Sequence, residues 1–410
     1  MNILHIIAGD LSGGAARGAY WIHLALLKKK INSNILTNSK NYFNEKKIHS
    51  LSNNFFIRLK LFALTMFAEL IKSFYINRNR EIFSTGFDGI DLTKNNLYKN
   101  ADIVNFHWVN GLINIKAMKN IDKPIVWTIR DMWPMTGGCH HAQITCKRFE
   151  KRCGLCPHLN SKNYKDLSYG ILENKIKYYP INNLTVIGVS NWISQKAKKS
   201  NVFKNVPIYT INNGLDQKVF FPSNKKKLKK NFNLPFDKKI LLIGAQNLSE
   251  FYKGFHLFLA SLKKIKSRNF HILSFGEMGN LKIDGFNHTN LGFIKNDKLM
   301  REIYSAVDVY ISPSLMESFG KSVLEAMACG TPCVIFKNTG SADIVTHKVD
   351  GYVSKFMDIN DLARGIDWIL NNANKKKLSK NAIKKVNTKF NINHIAMKYE
   401  KLYRNILENY

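Results

Sequence analysis

Ser312-Pro-Ser-Leu-Met-Glu-Ser-Phe-Gly-Lys-Ser-Val-Leu-Glu-Ala-Met-Ala-Cys-Gly-Thr-Pro-Cys-Val334 reads as strand exit, turn, helix and strand entry. The apolar run Val307–Ile311 before it predicts a buried strand. Ser318-Phe319-Gly320 makes the turn, the helix that follows stops at Gly330, and Pro332 opens the next strand. A helix that starts at the end of a strand points free N–H groups at whatever lies there, and its dipole favours an anion such as phosphate. Glu317 on the turn and Glu325 in the helix, with seven residues between them, can face one ligand. A ribose presents paired hydroxyls that suit a carboxylate acceptor. Two glutamates on a helix are ordinarily a solvated face. The strand, glycine and proline around this pair argue for a site.

The same alternation extends in both directions. Ile3–Ile7 is an apolar run followed by Gly9, Gly13 and Gly14, and Ala15–Lys28 then reads as a helix. Ile103–Phe106, Ile125–Ile129 and Leu184–Val189 are further runs, each ending in polar loop residues. A second series follows: Ile240–Ile243 ending at Gly244, a helix over His256–Lys264, His271–Phe275 ending at Gly276, then Pro332–Phe336. Alternation of this kind predicts parallel sheets with helices on both faces. At 410 residues the chain is too long for one ordinary core and suits two α/β domains. The boundary is expected near Leu215, giving an N-terminal domain over 1–215, with 392–410 packing back on it, and a C-terminal domain over 216–391. The charged stretch Asn224-Lys-Lys-Lys-Leu-Lys-Lys-Asn-Phe-Asn reads as the edge of the linker.

The formal charge is +33, from 62 basic and 29 acidic residues. Such an excess attracts nucleic acid, anionic lipid or acidic small substrates and says nothing of the fold. A nucleic-acid-binding protein is therefore one reading, but no zinc-finger, RNA-recognition or helix-turn-helix signature supports it. No run reaches the ~18–20 apolar residues of a membrane span. Met1-Asn-Ile-Leu-His-Ile-Ile-Ala lacks a basic start and reads as a first strand rather than a signal peptide. The expected location is cytoplasmic, with reduced cysteines. Phe55–Ile76 stands apart, rich in Phe, Leu, Ile and Met with Arg58, Lys60 and Lys72 interspersed. It reads either as a partly buried helix of the first domain or as an interfacial helix on anionic lipid.

The Glu317–Glu325 stretch resembles the signature of glycosyltransferase family 4, whose members have the GT-B architecture: two Rossmann-like domains facing across a cleft. The resemblance implies that Glu317 lies beside the donor sugar, that Glu325 binds the nucleotide ribose, and that Ser318, Phe319 and Gly320 flank the donor. Gly9-Asp-Leu-Ser-Gly-Gly-Ala-Ala-Arg resembles the family's N-terminal glycine loop, bringing in Gly13, Gly14 and Arg17. Leu242-Ile-Gly-Ala-Gln-Asn followed by Tyr252-Lys-Gly-Phe resembles the start of the donor domain, bringing in Gly244 and making Lys253 the cation that neutralises the diphosphate. Ser274-Phe-Gly-Glu and Gly292-Phe-Ile resemble the loops beside the nucleotide, bringing in Gly276 and Phe293.

Two departures accompany this. Many relatives carry an arginine just after the glycine ending the first donor-domain strand, where Ala245-Gln246 stands here, so Arg17 becomes the candidate second cation. In Trp127-Thr-Ile-Arg-Asp-Met-Trp, relatives carry histidine before the aspartate, where Arg130 stands here. Arg130 and Asp131 join Glu317 and Lys253 as expected catalytic residues. His107-Trp-Val-Asn-Gly follows a strand, so His107 and Asn110 are candidate acceptor contacts. Cys139, Cys146, Cys153 and Cys156 fall within eighteen residues, and Cys153-x-x-Cys156 has zinc-knuckle spacing. Four cysteines can complete a structural Zn site, with His140 or His141 as substitutes, or form a compact loop of reduced thiols. This segment resembles a subset of the family linked to colanic-acid-like and other exopolysaccharide assembly.

The expectation is thus a retaining hexosyltransferase that takes a UDP- or GDP-sugar, needs no catalytic metal, and serves a saccharide or lipid-linked acceptor. A peripheral position on the inner membrane face fits the charge, and nucleic acid is not an expected partner. A sugar-nucleotide epimerase or a phosphorylase of the same architecture is the alternative.

Overall fold

Strands buried on both faces need no polar alternation, and the central strands here are accordingly near-continuous apolar runs. The computed structural model describes the chain except residues 12, 39–46, 52, 53, 80, 372 and 373; Ser12 of the N-terminal glycine loop is thus outside the described residues. Two compact units form, Met1–Asn212 with Ile395–Tyr410, and Asn213–His394.

In the first unit the strands are β1 (Asn2–Ile7), β2 (Asn32–Thr37), β3 (Ile48–Ser50), β4 (Ile103–Phe106), β5 (Ile125–Ile129), β6 (Leu184–Gly188) and β7 (Ile208–Thr210). They pair in the order β3-β2-β1-β4-β5-β6-β7, every ladder parallel. The helices are α1 (Gly14–Lys28), α2 (Phe55–Ser73), α3 (Asn96–Lys99), α4 (Leu167–Tyr178) and α5 (Asn191–Lys199). The connection from β5 to α4 is long and carries the four clustered cysteines.

The second unit contains α6 (Lys225–Asn231), β8 (Lys239–Asn247), α7 (Phe255–Leu262), β9 (Phe270–Glu277), β10 (His288–Asn290), α8 (Asp297–Ala306), β11 (Val309–Ser312), α9 (Lys321–Ala328), β12 (Cys333–Phe336), β13 (Gly351–Ser354), α10 (Ile359–Asn371) and α11 (Lys375–Lys389). Its sheet order is β10-β9-β8-β11-β12-β13, again all parallel. Each order reverses direction once, between β1 and β4 and between β8 and β11. Open α/β sheets bind ligands outside the carboxyl ends of strands at such a reversal.

The final helix, α12 (Ile392–Glu408), joins the first unit from Ile395 onward. Its Tyr399 and Tyr403 are fully buried. The Tyr403 hydroxyl accepts from Asn105 Nδ2 at 2.6 Å, and the Tyr399 hydroxyl lies 3.3 Å from Thr128 Oγ1.

One expectation is corrected. The stretch read as a linker edge is the helix α6, anchored by buried Leu228 and by the Lys225–Asp308 ion pair at 2.8 Å. The reading of Phe55–Ile76 as a partly buried helix holds for one face of α2: Ala68 and Lys72 are buried, Ile57, Leu61, Leu64 and Ile71 are half-buried, and the opposite face is exposed.

Candidate functional site

In the second unit Lys253, Glu317, Ser318, Phe319 and Gly320 lie on the segments that leave β8 and β11. Lys253 Nζ lies 3.5 Å from Glu317 Oε2, and both side chains are partly open to solvent. Close backbone contact sets this pair. Leu315 N donates to Tyr252 O at 2.7 Å, and Gly254 has φ +71 with Pro313 O only 1.9 Å from where a Cβ would stand. Only glycine fits there. Gly320 has φ +93 and would drive a Cβ to 2.2 Å from Ser341 Oγ. Gly340 N donates to Glu317 O at 2.7 Å, holding the turn from the other side.

Glu325 is buried, with Lys321 Nζ 3.1 Å from Oε1 and the Tyr304 hydroxyl donating to Oε2 at 3.3 Å. A carboxylate has about four acceptor positions, so two remain for a diol. The Phe319 ring is buried against Phe390, which leaves only its backbone for a ligand. Ser318 is also buried. Gly244 accepts from the Tyr310 hydroxyl at 2.9 Å. Gly276, at φ +97, crosses close to Ala245 O and donates its N–H to Gly292 O at 2.7 Å. Phe293 beyond it is exposed, with Lys295 Nζ 5.9 Å from its ring centre.

Helix starts separate these loops from the others. Asn54, Asp166, Ser190, Asn224, Asn296 and Asn374 cap α2, α4, α5, α6, α8 and α11 with side-chain acceptors. The helices α1, α7 and α9 start on Gly13, Gly254 and Gly320 and have no side-chain cap. These are the helices that follow β1, β8 and β11, three of the four strands at the sheet reversals. Uncapped N–H groups at those positions suit an anionic ligand. A Cβ built on Gly13 or Gly14 would meet nothing within 4 Å, so that loop has open space beside it. Arg17 lies one turn further on, its guanidinium 5.6 Å from the Trp21 ring centre. A groove of about 760 Å³ in the same unit as Lys253 lies elsewhere, between Pro222–Lys225, the end of α9 and α11, and no expected donor residue lines it.

The first unit holds a chain of rings at its own sheet reversal. Arg130 Nε donates to His107 Nδ1 at 3.3 Å, and His107 Nε2 lies 2.9 Å from His5 Nδ1. An arginine nitrogen can only donate, so His107 carries its proton on Nε2 and passes the polarity on to His5. Both ring nitrogens of His107 are therefore engaged inside the unit. His107 meets Arg130, whose guanidinium also lies against Gly18 of α1. Burial lowers the Arg130 pKa to about 10, offset by Tyr399 and Tyr403, so it remains a cation at neutral pH. Asn110 differs from His107. It is buried, and neither its amide nitrogen nor its oxygen has a hydrogen-bond partner among the described residues. A buried, unpartnered amide calls for a ligand group or water.

Burial, reinforced by His23 and Arg130 beside His5 and by Arg130 and His5 beside His107, lowers the pKa of both well below 6.5, and burial lowers His23 to about 4. Each is neutral when folded and binds a proton more readily when unfolded. Stability from these three groups is therefore complete above about pH 6.5 and is lost as the pH falls from there toward 4. Urea midpoints measured from pH 7.5 to 4 are expected to fall across that window, and His23→Gln to flatten part of the slope.

Asp131 is engaged on every side. Its Oδ2 accepts from Trp108 Nε1 and faces His140 Nδ1, both at 2.7 Å, and Oδ1 accepts from Trp133 N at 3.0 Å. Burial alone would raise its pKa, but the His140 contact pulls it below the usual carboxylate value. The other His140 nitrogen lies 2.9 Å from Ser84 Oγ, so His140 is not available as a substitute metal ligand.

Cys139, Cys146, Cys153 and Cys156 line one cavity of about 20 Å³. As the side chains stand, no group of three or more His, Cys, Asp or Glu among the described residues is set to hold a metal ion. Burial pushes the Cys139 thiol well above 9 and Cys153 up to about 12, and neighbouring thiols add to both. Beneath them is a residue the sequence reading missed. Lys175 is fully buried, with Nζ donating to Trp133 O and to Thr136 O (2.8 Å) and lying 3.7 Å from the Trp133 ring centre. Its spacing with buried Ser168, Ile171 and Leu172 on one face of α4 was the available signal.

With that geometry in hand, similarity to known proteins can be read. Residues 224–386, inside the second unit, match the family described as Glycosyl transferases group 1. A stretch of 206 residues, 48% of this chain, is 30% identical to the N,N'-diacetylbacillosaminyl-diphospho-undecaprenol alpha-1,3-N-acetylgalactosaminyltransferase of Campylobacter jejuni, and the match spans 54% of that relative. The chain thus spans about half of the relative's length. Among solved structures, sucrose-phosphate synthase of Thermosynechococcus elongatus superposes with a TM-score of 0.72 at 19% identity, covering 100% of both chains. HepE of Anabaena, solved in complex with UDP-glucose, gives a TM-score of 0.66 at 16% identity over 99% of this chain and 100% of its own. The fold is the GT-B architecture of two parallel-sheet Rossmann-like domains.

Proposed function

We propose that this chain is a retaining glycosyltransferase that moves a sugar from a nucleoside-diphosphate sugar to a saccharide or lipid-linked saccharide acceptor in surface polysaccharide synthesis. The observation that carries the reading is the Lys253–Glu317 pair, held by glycine contacts beside the uncapped starts of α7 and α9. The group 1 family match over 224–386 supports the transferase class, the UDP-glucose bound by HepE supports a nucleotide-sugar donor, and the lipid-linked acceptor in the Campylobacter relative's name supports the acceptor class.

The second unit binds the donor. Glu325 accepts from the ribose hydroxyls, and the α9 start with Lys253 faces the diphosphate. The bond from the anomeric carbon to the diphosphate oxygen breaks, leaving an oxocarbenium-like sugar and negative charge on the leaving group. Lys253 and the helix N–H groups stabilise that charge where it develops. The acceptor hydroxyl forms the new bond on the face the diphosphate leaves, and a departing phosphate oxygen takes its proton. No nucleophile from the protein is then required. Glu317 orients the sugar and balances its charge. In the first unit, Arg130 and Arg17 supply positive charge near the glycine loop, Asp131 fixes the aromatic frame around it, and Asn110 offers its unpartnered amide to the acceptor.

The four cysteines are assigned to a structural zinc ion, whose thiolates would carry a net double negative charge with the metal. Their convergence on one cavity supports this, as does the buried amine of Lys175 beneath them, whose pKa burial lowers to about 7 and which a nearby anion would keep charged. Metal analysis of the purified protein is expected to give about one zinc per chain, reduced in Cys153→Ser. Folded, active protein without zinc would overturn the assignment.

The function is tested by measuring binding and slow hydrolysis across UDP- and GDP-sugars for wild type and Glu317→Ala. Selective turnover of one donor, lost in the variant, supports the reading. Turnover without any saccharide acceptor product, or only with phosphate, would favour an epimerase or phosphorylase. Salt-sensitive retention on duplex DNA with no donor binding would favour the nucleic-acid reading.

A further inference from the structure

The outward face of α2 is apolar. Phe55, Phe56, Leu59, Phe62, Met66 and Leu70 are each more than half exposed, and Phe56 reaches 80%. Phe74 and Ile76, just past the helix, extend the patch at 77% and 90%. Soluble surfaces carry single exposed apolar residues without cost, but a contiguous stripe of this kind marks an interaction surface. The helix is fixed from the opposite side. Buried Ala68 and Lys72 face the unit, and Lys72 Nζ donates to Phe83 O at 3.1 Å. The Asn54 side chain caps its start by accepting from Ile57 N. The stripe is thus presented on a helix that is itself held in place.

Charge identifies what covers it. At 3.6 residues per turn, these apolar side chains together with exposed Phe67 project over an arc of about 140°, with Arg58 beyond one edge and Lys60 beyond the other. Both are exposed. Long cationic side chains flanking an apolar arc lay their stems along it and extend their charges toward a plane of phosphates. Besides Arg58 and Lys60, the helix carries two ionised residues, Glu69 and Lys72, which pair with each other at 2.5 Å. A second copy of this chain is a poor occupant, because two molecules of net charge +33 repel each other. No helix among the described residues is long and apolar enough to cross a membrane.

We infer that α2 is a membrane-docking helix that lies in the plane of an anionic bilayer, with Phe62 and Leu70 in the acyl boundary and Arg58 and Lys60 at the headgroups. The inference rests on α2 alone and does not depend on the proposed reaction.

Sedimentation with sucrose-loaded vesicles of phosphatidylcholine containing 30% phosphatidylglycerol, without donor or acceptor, tests it. Wild type is expected to bind at low salt, more weakly to phosphatidylcholine alone. Phe62→Glu with Leu70→Glu is expected to lower the partition coefficient at least tenfold, and Arg58→Gln with Lys60→Gln to reduce it and its salt dependence. These side chains are exposed, so circular dichroism and donor hydrolysis should match wild type; that separates loss of docking from loss of fold or failure of the proposed reaction. Binding unchanged in the Phe62/Leu70 variant would overturn the inference. So would a fall in molecular mass of that variant without vesicles, which would make the stripe a contact between copies.

Discussion

Lys253→Ala is expected to slow sugar transfer by about 10²–10³-fold while the fold keeps its stability to within about 0.5 kcal/mol. The two expectations have separate physical grounds. Lys253 is partly solvated, and its one ion pair, to Glu317, is long at 3.5 Å. Such pairs contribute about 0–1 kcal/mol to folding. The loop geometry does not depend on it either, because the Leu315–Tyr252 hydrogen bond and the tight Gly254–Pro313 contact remain. A cation beside the leaving diphosphate matters most when charge builds there, so the loss belongs in kcat rather than in KM alone. Initial rates across donor concentrations, with urea unfolding of the same samples, check both. A rise in KM at constant kcat would reduce Lys253 to a binding residue. Lys253→Arg keeps the charge but spreads it over a planar fork, and recovery is expected to be partial.

Asp131→Ala is expected to cost about 3–5 kcal/mol of stability, read as a shift in urea midpoint at constant slope. The carboxylate receives Trp108 Nε1 and Trp133 N and faces His140. Removing it orphans these groups, of which Trp133 and His140 are buried. Asp131→Asn keeps an acceptor and the shape and is expected to lose roughly half as much. A loss below about 1 kcal/mol for Asp131→Ala would mean that solvent replaces the carboxylate and that Asp131 faces a ligand instead.

The central strands were readable because parallel sheets bury both faces, so a strand is a bare apolar run. Ile103–Phe106 and Ile125–Ile129 coincide with β4 and β5 residue for residue. The edge strands had no such signal. Ile208–Thr210 is largely exposed and His288–Asn290 is polar, so β7 and β10 are strands only because a neighbour offers them a ladder. At the site, glycines and prolines revealed the turns around Glu317 because those residues constrain the backbone whatever surrounds them. Side-chain engagement was beyond reach. His107 looks like a ligand residue at the end of a strand, and only the positions of His5 and Arg130, far away in sequence, show that both its nitrogens are used. Lys175 was hidden for the converse reason: a lysine is taken as surface unless the carbonyls of Trp133 and Thr136 are known to wait for it. The α2 stripe was visible in composition, but whether it faced a core or solvent depended on what the rest of the chain packed against it.

The membership of Ile395–Tyr410 in the first unit has a consequence for synthesis on the ribosome. The segment Asn213–His394 must be translated between the two parts of that unit. At 5–20 residues per second this takes roughly ten to forty seconds. Throughout that time Asn105 and Thr128 lack the tyrosine hydroxyls that later meet them, and the sheet face that receives Tyr399 and Tyr403 stands bare. The second unit, contiguous in the chain, can close first. The nascent first unit is therefore the form that a chaperone would meet, and the last helix is the piece whose arrival ends that exposure.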